Sequence, residues 1–270
     1  MSHLKPISAQ LDQQSMQPLD DEKFHFACHS SLGCFTHCCA DLNLALTPYD
    51  VLRLKSRLAI LSGAFLEHYT TDEIKYNSGL PVLLLKMTDD SRRTCPYLLP
   101  HGCSVYEDRP GACRLYPVGR AAKYLGGNLQ EHYFLVKESH CLGFSESREW
   151  TVQEWLEDQG LEVYHEMNTL WMTINQDPDR KQPLSAPTGD KLRMYFMACY
   201  NLDQFRRFVF ESRFLQMFQI DKETAARIKG DEVELLKLAF SWVQFSVFGK
   251  KTMKIKPAVL EAKKRALARR

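Results

Sequence analysis

The sequence predicts an α+β protein in two unlike parts. An irregular cysteine-rich metal-binding module with few short strands and helices is followed by a mainly helical C-terminal part. Three observations lead there. Eight of the nine cysteines fall between Cys28 and Cys141, among Gly, Pro, His and charged residues. Beyond Thr151, apolar residues recur at helical spacing. Charge is uneven: residues 250–270 hold nine Lys or Arg and one Glu, while the other 249 hold 26 basic and 32 acidic groups.

The 44% hydrophobic and 25% charged content is ordinary for a globular chain of 270 residues, so a core of useful size is available. No run approaches the eighteen apolar residues of a membrane span. The N-terminus lacks the apolar stretch of a secretory signal. The expected location is therefore cytoplasmic, where thiols stay reduced and a disulfide framework is excluded.

Taken in order, residues 1–23 read as a disordered leader, and 24–145 as the cysteine-cluster module. Within it, Thr47 caps a helix with Pro48 at its first position and Asp50 at its positive end. Val51, Leu52, Leu54, Leu58 and Leu61 form that helix's buried stripe. Leu80–Met87 is a strand, with weaker candidates at Gly102–Tyr106 and His132–Lys137. Between them, Arg109–Pro117 and the Leu125-Gly-Gly-Asn128 turn keep the chain irregular. Such a module uses metal ligands where a larger domain would use core.

Residues 146–248 form the helical region packed on the module. A Thr151/Glu154 capping box opens a helix running through Trp155, Leu156, Leu161, Tyr164, Met167 and Leu170. Residues 176–190, with three prolines, are the linker candidate. Helices over about 190–218, from the Asp221 cap, and over about 231–248 follow. Their aromatic residues read as core. Residues 249–270 are the basic tail, with a short helix after Pro257.

The thiols carry the chemistry. Cys28, Cys34, Cys38 and Cys39 fall within twelve residues, and Cys95, Cys103, Cys113 and Cys141 follow. Thiolate is the softest side-chain ligand, and eight thiols divide into two sets of four, the number for structural zinc and for iron–sulfur centres. In extended backbone the adjacent Cys38 and Cys39 point to opposite faces, which suits two neighbouring sites or two atoms of one cluster and tilts the choice towards iron–sulfur. His29, His37, His101 and His140 stand beside cysteines, and each reads as a solvated loop residue because thiols suffice. Arg109 and Arg114 flank Cys113 and can offset thiolate charge. Cys199, among Met and Tyr at helical spacing, reads as a small core hydrophobe.

These residues resemble the YkgJ-type cysteine-cluster family, the CxxCxxCC zinc- or iron-chelating proteins. The matching pieces are Phe26-Ala-Cys28, Cys38-Cys39, Leu46-Thr-Pro-x-Asp50-x-x-Arg53-Leu54, Cys95-Pro-Tyr-Leu98 and Gly102-Cys-Ser-Val-Tyr106-Glu107. Arg109-Pro-x-x-Cys113-Arg114-x-Tyr116-Pro117 and Cys141-x-Gly143 complete them. The resemblance implies zinc or an iron–sulfur cluster held by the eight cysteines. It covers residues 24–143, and the first loop departs from it, with gaps of five and three residues instead of two CxxC-like steps. Flagellin lysine methylases carry a similar cysteine arrangement.

The radical S-adenosylmethionine motif is absent, since Asp41 stands where its third cysteine would be. No Walker loop, dinucleotide GxGxxG, HExxH or GxSxG occurs either. No catalytic pair is nominated. The expected function is metal binding. The alternatives are an iron–sulfur oxidoreductase or S-adenosylmethionine-dependent protein lysine methylase-like enzyme, and a metal-stapled adaptor with a protein partner. Nucleic acid is the weaker partner for the tail, because no aromatic residues are interleaved with its charges.

Overall fold

The computed structural model describes residues 16–19, 23–77, 80–125, 128–174 and 186–267. Order begins earlier than the sequence predicts: within the expected leader, β1 (Met16–Pro18) lies antiparallel along β9 (Asn128–Val136), with Leu19 buried beside it. On the other side β9 pairs with β8 (Val118–Leu125), from Val118↔Leu135 out to Leu125↔Asn128. This hairpin replaces most of the irregular chain expected there. Two glycines between alternating segments are a hairpin signal, and the expectation passed over it. Residues 126 and 127 themselves lie outside the described residues.

Next come β2 (Phe24–His25), a 3₁₀ turn at His37–Cys39, and β3 (Ala45–Leu46). The cap at Thr47 forms as expected and is a full capping box with Asp50, opening α1 (Pro48–Arg57). That helix stops before Leu58, the chain turns through left-handed Ala59, and α2 (Ser62–Tyr69) begins. Leu61, expected in the buried stripe, is instead 66% exposed in the break between the two helices. β4 (Thr70–Asn77) and the fully buried β5 (Leu80–Leu85) complete a sheet of order β3-β5-β4. Pro81 is tolerated in this central strand because two-residue β3 pairs only with Leu83 and Leu84, beyond the proline.

The short pair β6 (Leu98–Leu99) and β7 (Gly102–Cys103) follows. The strand expected over Gly102–Tyr106 ends at Cys103 and gives way to a 3₁₀ turn at Tyr106–Asp108. Arg109–Pro117, expected to be irregular, contains the helix α3 (Gly111–Leu115). After β10 (Glu149–Trp150), paired with β2, the Thr151/Glu154 capping box opens α4 (Val152–Asp158). The single helix expected to Leu170 is split at Gly160, whose φ of +59° ends α4 before α5 (Glu162–Met172).

Residues 175–185, most of the expected linker, lie outside the described residues. The helix expected over 190–218 is three: α6 (Gly189–Cys199), α7 (Leu202–Glu211) and α8 (Phe214–Met217). Asn201 caps α7, accepting from the Gln204 N–H. α9 (Lys222–Gly230) starts at the Asp221 cap, followed by α10 (Glu232–Ser246) and α11 (Pro257–Leu267). The approach to α11 is docked rather than loose: Ile255 bridges Phe218, and the Lys256 ammonium donates to the Leu215 carbonyl. Among the described residues no helix is long and apolar enough to cross a membrane.

One core runs through both parts, so the module does not rely on ligands in place of packing. The Tyr195 and Tyr200 hydroxyls of the helical part donate to the Pro81 carbonyl in the central strand. Asp203 on α7 accepts from the Ser62 N–H and hydroxyl at the start of α2. Buried Lys55 on α1 pairs with Glu232 on α10, which also holds Arg206.

Candidate metal centre

Non-local contacts gather the cysteine-bearing segments. The Ala27 N–H donates to the Gly143 carbonyl, and the Trp150 indole donates to the Phe26 carbonyl. A β-carbon on Gly143 would lie 2.6 Å from the Ala27 oxygen and 2.7 Å from the Phe26 ring. Only glycine permits this approach, which brings Cys28 beside Cys141. The Leu142 N–H then donates to the Cys34 sulfur at 3.2 Å. On the other side, the Cys95 N–H donates to the Cys39 carbonyl at 2.8 Å. Cys103 follows from the β6–β7 pair, in register with Leu98.

Asp50 positions Cys113. Its Oδ2 accepts from the Thr47 N–H and hydroxyl at the start of α1, while Oδ1 accepts from the Gly111 N–H at 2.8 Å. One buried carboxylate thus caps two helices, the second of them carrying Cys113. Burial raises the Asp50 pKa, and these donors and the Arg114 charge act against it. Arg53 on α1 pairs with Asp108, next to the same segment.

Burial and neighbouring thiols raise the pKa of Cys28, Cys39, Cys95, Cys103 and Cys113. Burial pushes Cys28 up to about 11, and Cys38, Cys141 and Cys34 add to the rise. Burial pushes Cys113 far above the usual thiol range, with Cys95, Asp50, Cys38 and Cys103 contributing. Cys95 and Cys103 are raised by burial first and also by Cys38, while the Arg109 charge pulls Cys103 back. Cys38 and Cys39 do not face opposite ways as expected. They sit in a 3₁₀ turn, where a hydrogen bond between them lowers Cys38 and raises Cys39. Cys38 is also a neighbour of Cys28, Cys95, Cys103 and Cys113, and so lies between two groups.

The donor set fits a soft cation. Several thiols brought into one neighbourhood are the chemistry a soft cation takes, since a coordinated thiol loses its proton. The arrangement is not a finished cage: among the described residues no three His, Cys, Asp or Glu side chains already stand in ligating geometry. A second observation supports the fit. The Tyr97 hydroxyl is buried without a hydrogen-bond partner, with Cys95 and Cys103 near it.

His29, His37, His101 and His140 are all exposed; His29 faces Glu146 and His140 faces Glu138. The His37 and His140 rings lie 6.0 Å apart on an open cleft of about 610 Å³, which Asp41, Arg92 and Arg93 also line. Sequence reasoning did not anticipate this cleft. Of the four left-handed non-glycine residues among those described, Thr36, Asp41 and Arg93 are at or next to it. Arg109 and Arg114 use their hydrogen bonds on the fold. Arg109 donates to Gln159 and the Tyr106 carbonyl, and Arg114 to the Gln159 and Glu107 carbonyls. Cys199 is 1% exposed in the helical core.

A thiol-rich module on an α+β scaffold is the class that fold and site define. Residues 27–142 match the family model described as "CxxCxxCC: Putative zinc- or iron-chelating domain". No curated protein and no solved structure matches the chain.

Proposed function

We propose that the module is a metal-binding unit in which Cys28, Cys34, Cys38, Cys39, Cys95, Cys103, Cys113 and Cys141 hold zinc or iron as thiolates. The neighbourhoods of the sulfurs support two groups. Cys28, Cys34, Cys38 and Cys141 form one, and Cys39, Cys95, Cys103 and Cys113 the other. Cys38 is close enough to the second group to join two sites or two atoms of one polynuclear centre. A thiol that steps between staggered rotamers moves its sulfur by about 3 Å, so closure on a cation needs side-chain rotation more than refolding. Bound there, zinc would act as a structural staple and an iron–sulfur cluster as an electron carrier. Free thiols in this number fit a reducing compartment, which makes the cytoplasm the proposed location.

The observation that carries the reading is the gathering of cysteine segments far apart in sequence, with the Ala27 N–H on the Gly143 carbonyl, the Leu142 N–H on the Cys34 sulfur and the Cys95 N–H on the Cys39 carbonyl. Anaerobic purification with elemental analysis and an optical spectrum tests it. Iron with thiolate charge-transfer bands, or zinc in a colourless protein, supports it; neither metal bound ends it. The cleft at His37, Asp41, Arg92 and His140 favours a second reading, an oxidoreductase whose cluster is reached from that side. Absorbance bleached by dithionite is the expected result for it, and a zinc-only protein counts against it.

A further inference from the structure

Buried polar groups are almost always hydrogen-bonded, so each exception needs a reason. Tyr97 is 3% exposed, stacks on Tyr69 with ring centroids 5.4 Å apart, and leaves its hydroxyl unpaired. Its backbone is held firmly: the Tyr97 carbonyl accepts from both the Ser104 N–H and the Ser104 hydroxyl. The chemistry around that hydroxyl is Tyr69, Cys95 and Cys103. The proposed sulfur group of Cys39, Cys95, Cys103 and Cys113 therefore has one rigidly placed, unsatisfied phenol beside it. A neutral thiol is a poor acceptor, whereas a metal-bound thiolate is a strong one.

We propose that Tyr97 is a positioning residue that donates an O–H···S hydrogen bond to a metal-bound thiolate, that of Cys95 or Cys103. This rests on the metal-binding reading of the same module. The unpaired hydroxyl finds its acceptor when a cation converts the facing thiol to a thiolate. Outer hydrogen bonds of this kind orient ligands and tune the metal, and their loss typically lowers affinity ten- to a hundredfold.

The test compares the full chain with Tyr97→Phe, using zinc as the probe. Zinc affinity is measured by chelator competition, and urea unfolding is followed with and without metal. The expected signature is a reversal of sign. Without metal, the variant unfolds at the same or higher urea than the parent, because an unsatisfied buried hydroxyl is gone. With zinc, it binds about tenfold more weakly and loses its advantage in urea. Parental zinc affinity in the variant overturns the proposal, as does equal destabilisation with and without metal, which would mark an ordinary packing role. If the parent chain itself binds neither zinc nor iron, the metal reading fails and takes this one with it. A parent that binds while the variant is unchanged overturns this proposal alone.

Discussion

The two parts of the molecule treat their polar groups differently. In the helical part, Tyr195 accepts from the Trp171 indole and donates to Pro81, and Tyr200 donates to Leu46 and Pro81. Its one cysteine, Cys199, is sealed in the core, where burial holds the thiol protonated. In the module, by contrast, the Tyr97 hydroxyl is buried unpaired, and eight thiols crowd one region at partial or full exposure. Left-handed non-glycine residues also concentrate around that region. Among the described residues the helical part buries the Asn168 amide oxygen without a partner, whereas the module so leaves the Tyr97 hydroxyl and the Nε atoms of Arg53 and Arg114. That contrast is what the proposed metal-binding module should show.

The largest effect should come from the residue joining the module's segments. Asp50→Ala removes the caps of α1 and α3 and leaves the buried Gly111 N–H unpaired, costing about 3 kcal/mol in denaturant unfolding. Metal content should fall with it, because α3 carries Cys113. Gly143→Ala comes next. Its β-carbon displaces the Ala27 carbonyl, for about 2 kcal/mol and weaker metal binding at the group containing Cys28 and Cys141. An unchanged metal stoichiometry in this variant would break the link between that close approach and the site.

Much of this was legible in the sequence where the signal is local. Thr47 and Thr151 announce their helices by capping chemistry that spans four residues, and Leu80–Leu85 announces a buried strand by composition. Breaks inside helical patterns were not legible at Gly160, Asn201 or Ser212, because apolar spacing continues across them. The site divides similarly. Cysteine order and the box around Cys113 can be read directly. The Asp50–Gly111 bond spans 61 residues, and no local pattern marks it. Nor does spacing reveal that the Tyr97 hydroxyl is left unpaired, since that depends on the whole enclosure.

A matched pair of tyrosine variants sharpens the contrast between the parts. Tyr195→Phe strips a satisfied hydroxyl and should cost about 1.5 kcal/mol whether or not metal is present, unlike the Tyr97 phenol beside the cysteines. Equal costs at Tyr195 and Tyr97 in metal-free protein would erase the distinction.

The smallest effect is one of pH. Burial, reinforced by the Arg120 charge, lowers His165 to about 4 although Glu131 acts the other way. The folded state therefore disfavours the imidazolium. Stability should decline as pH falls from about 6.5, where the unfolded histidine protonates, and level off near 4. Allowing for solvent screening of a partly exposed ring, the contribution is about 1 kcal/mol. Unfolding midpoints of parent and His165→Gln between pH 7 and 4 check this, and the variant should lose that part of the slope.

The most direct test is the metal content of anaerobically purified full-length protein, parent against Cys113→Ser and Cys199→Ser. The account predicts zinc or iron in the parent, a substantial loss in Cys113→Ser, and parental content in Cys199→Ser. No zinc or iron in the parent, or equal content in all three, would contradict it.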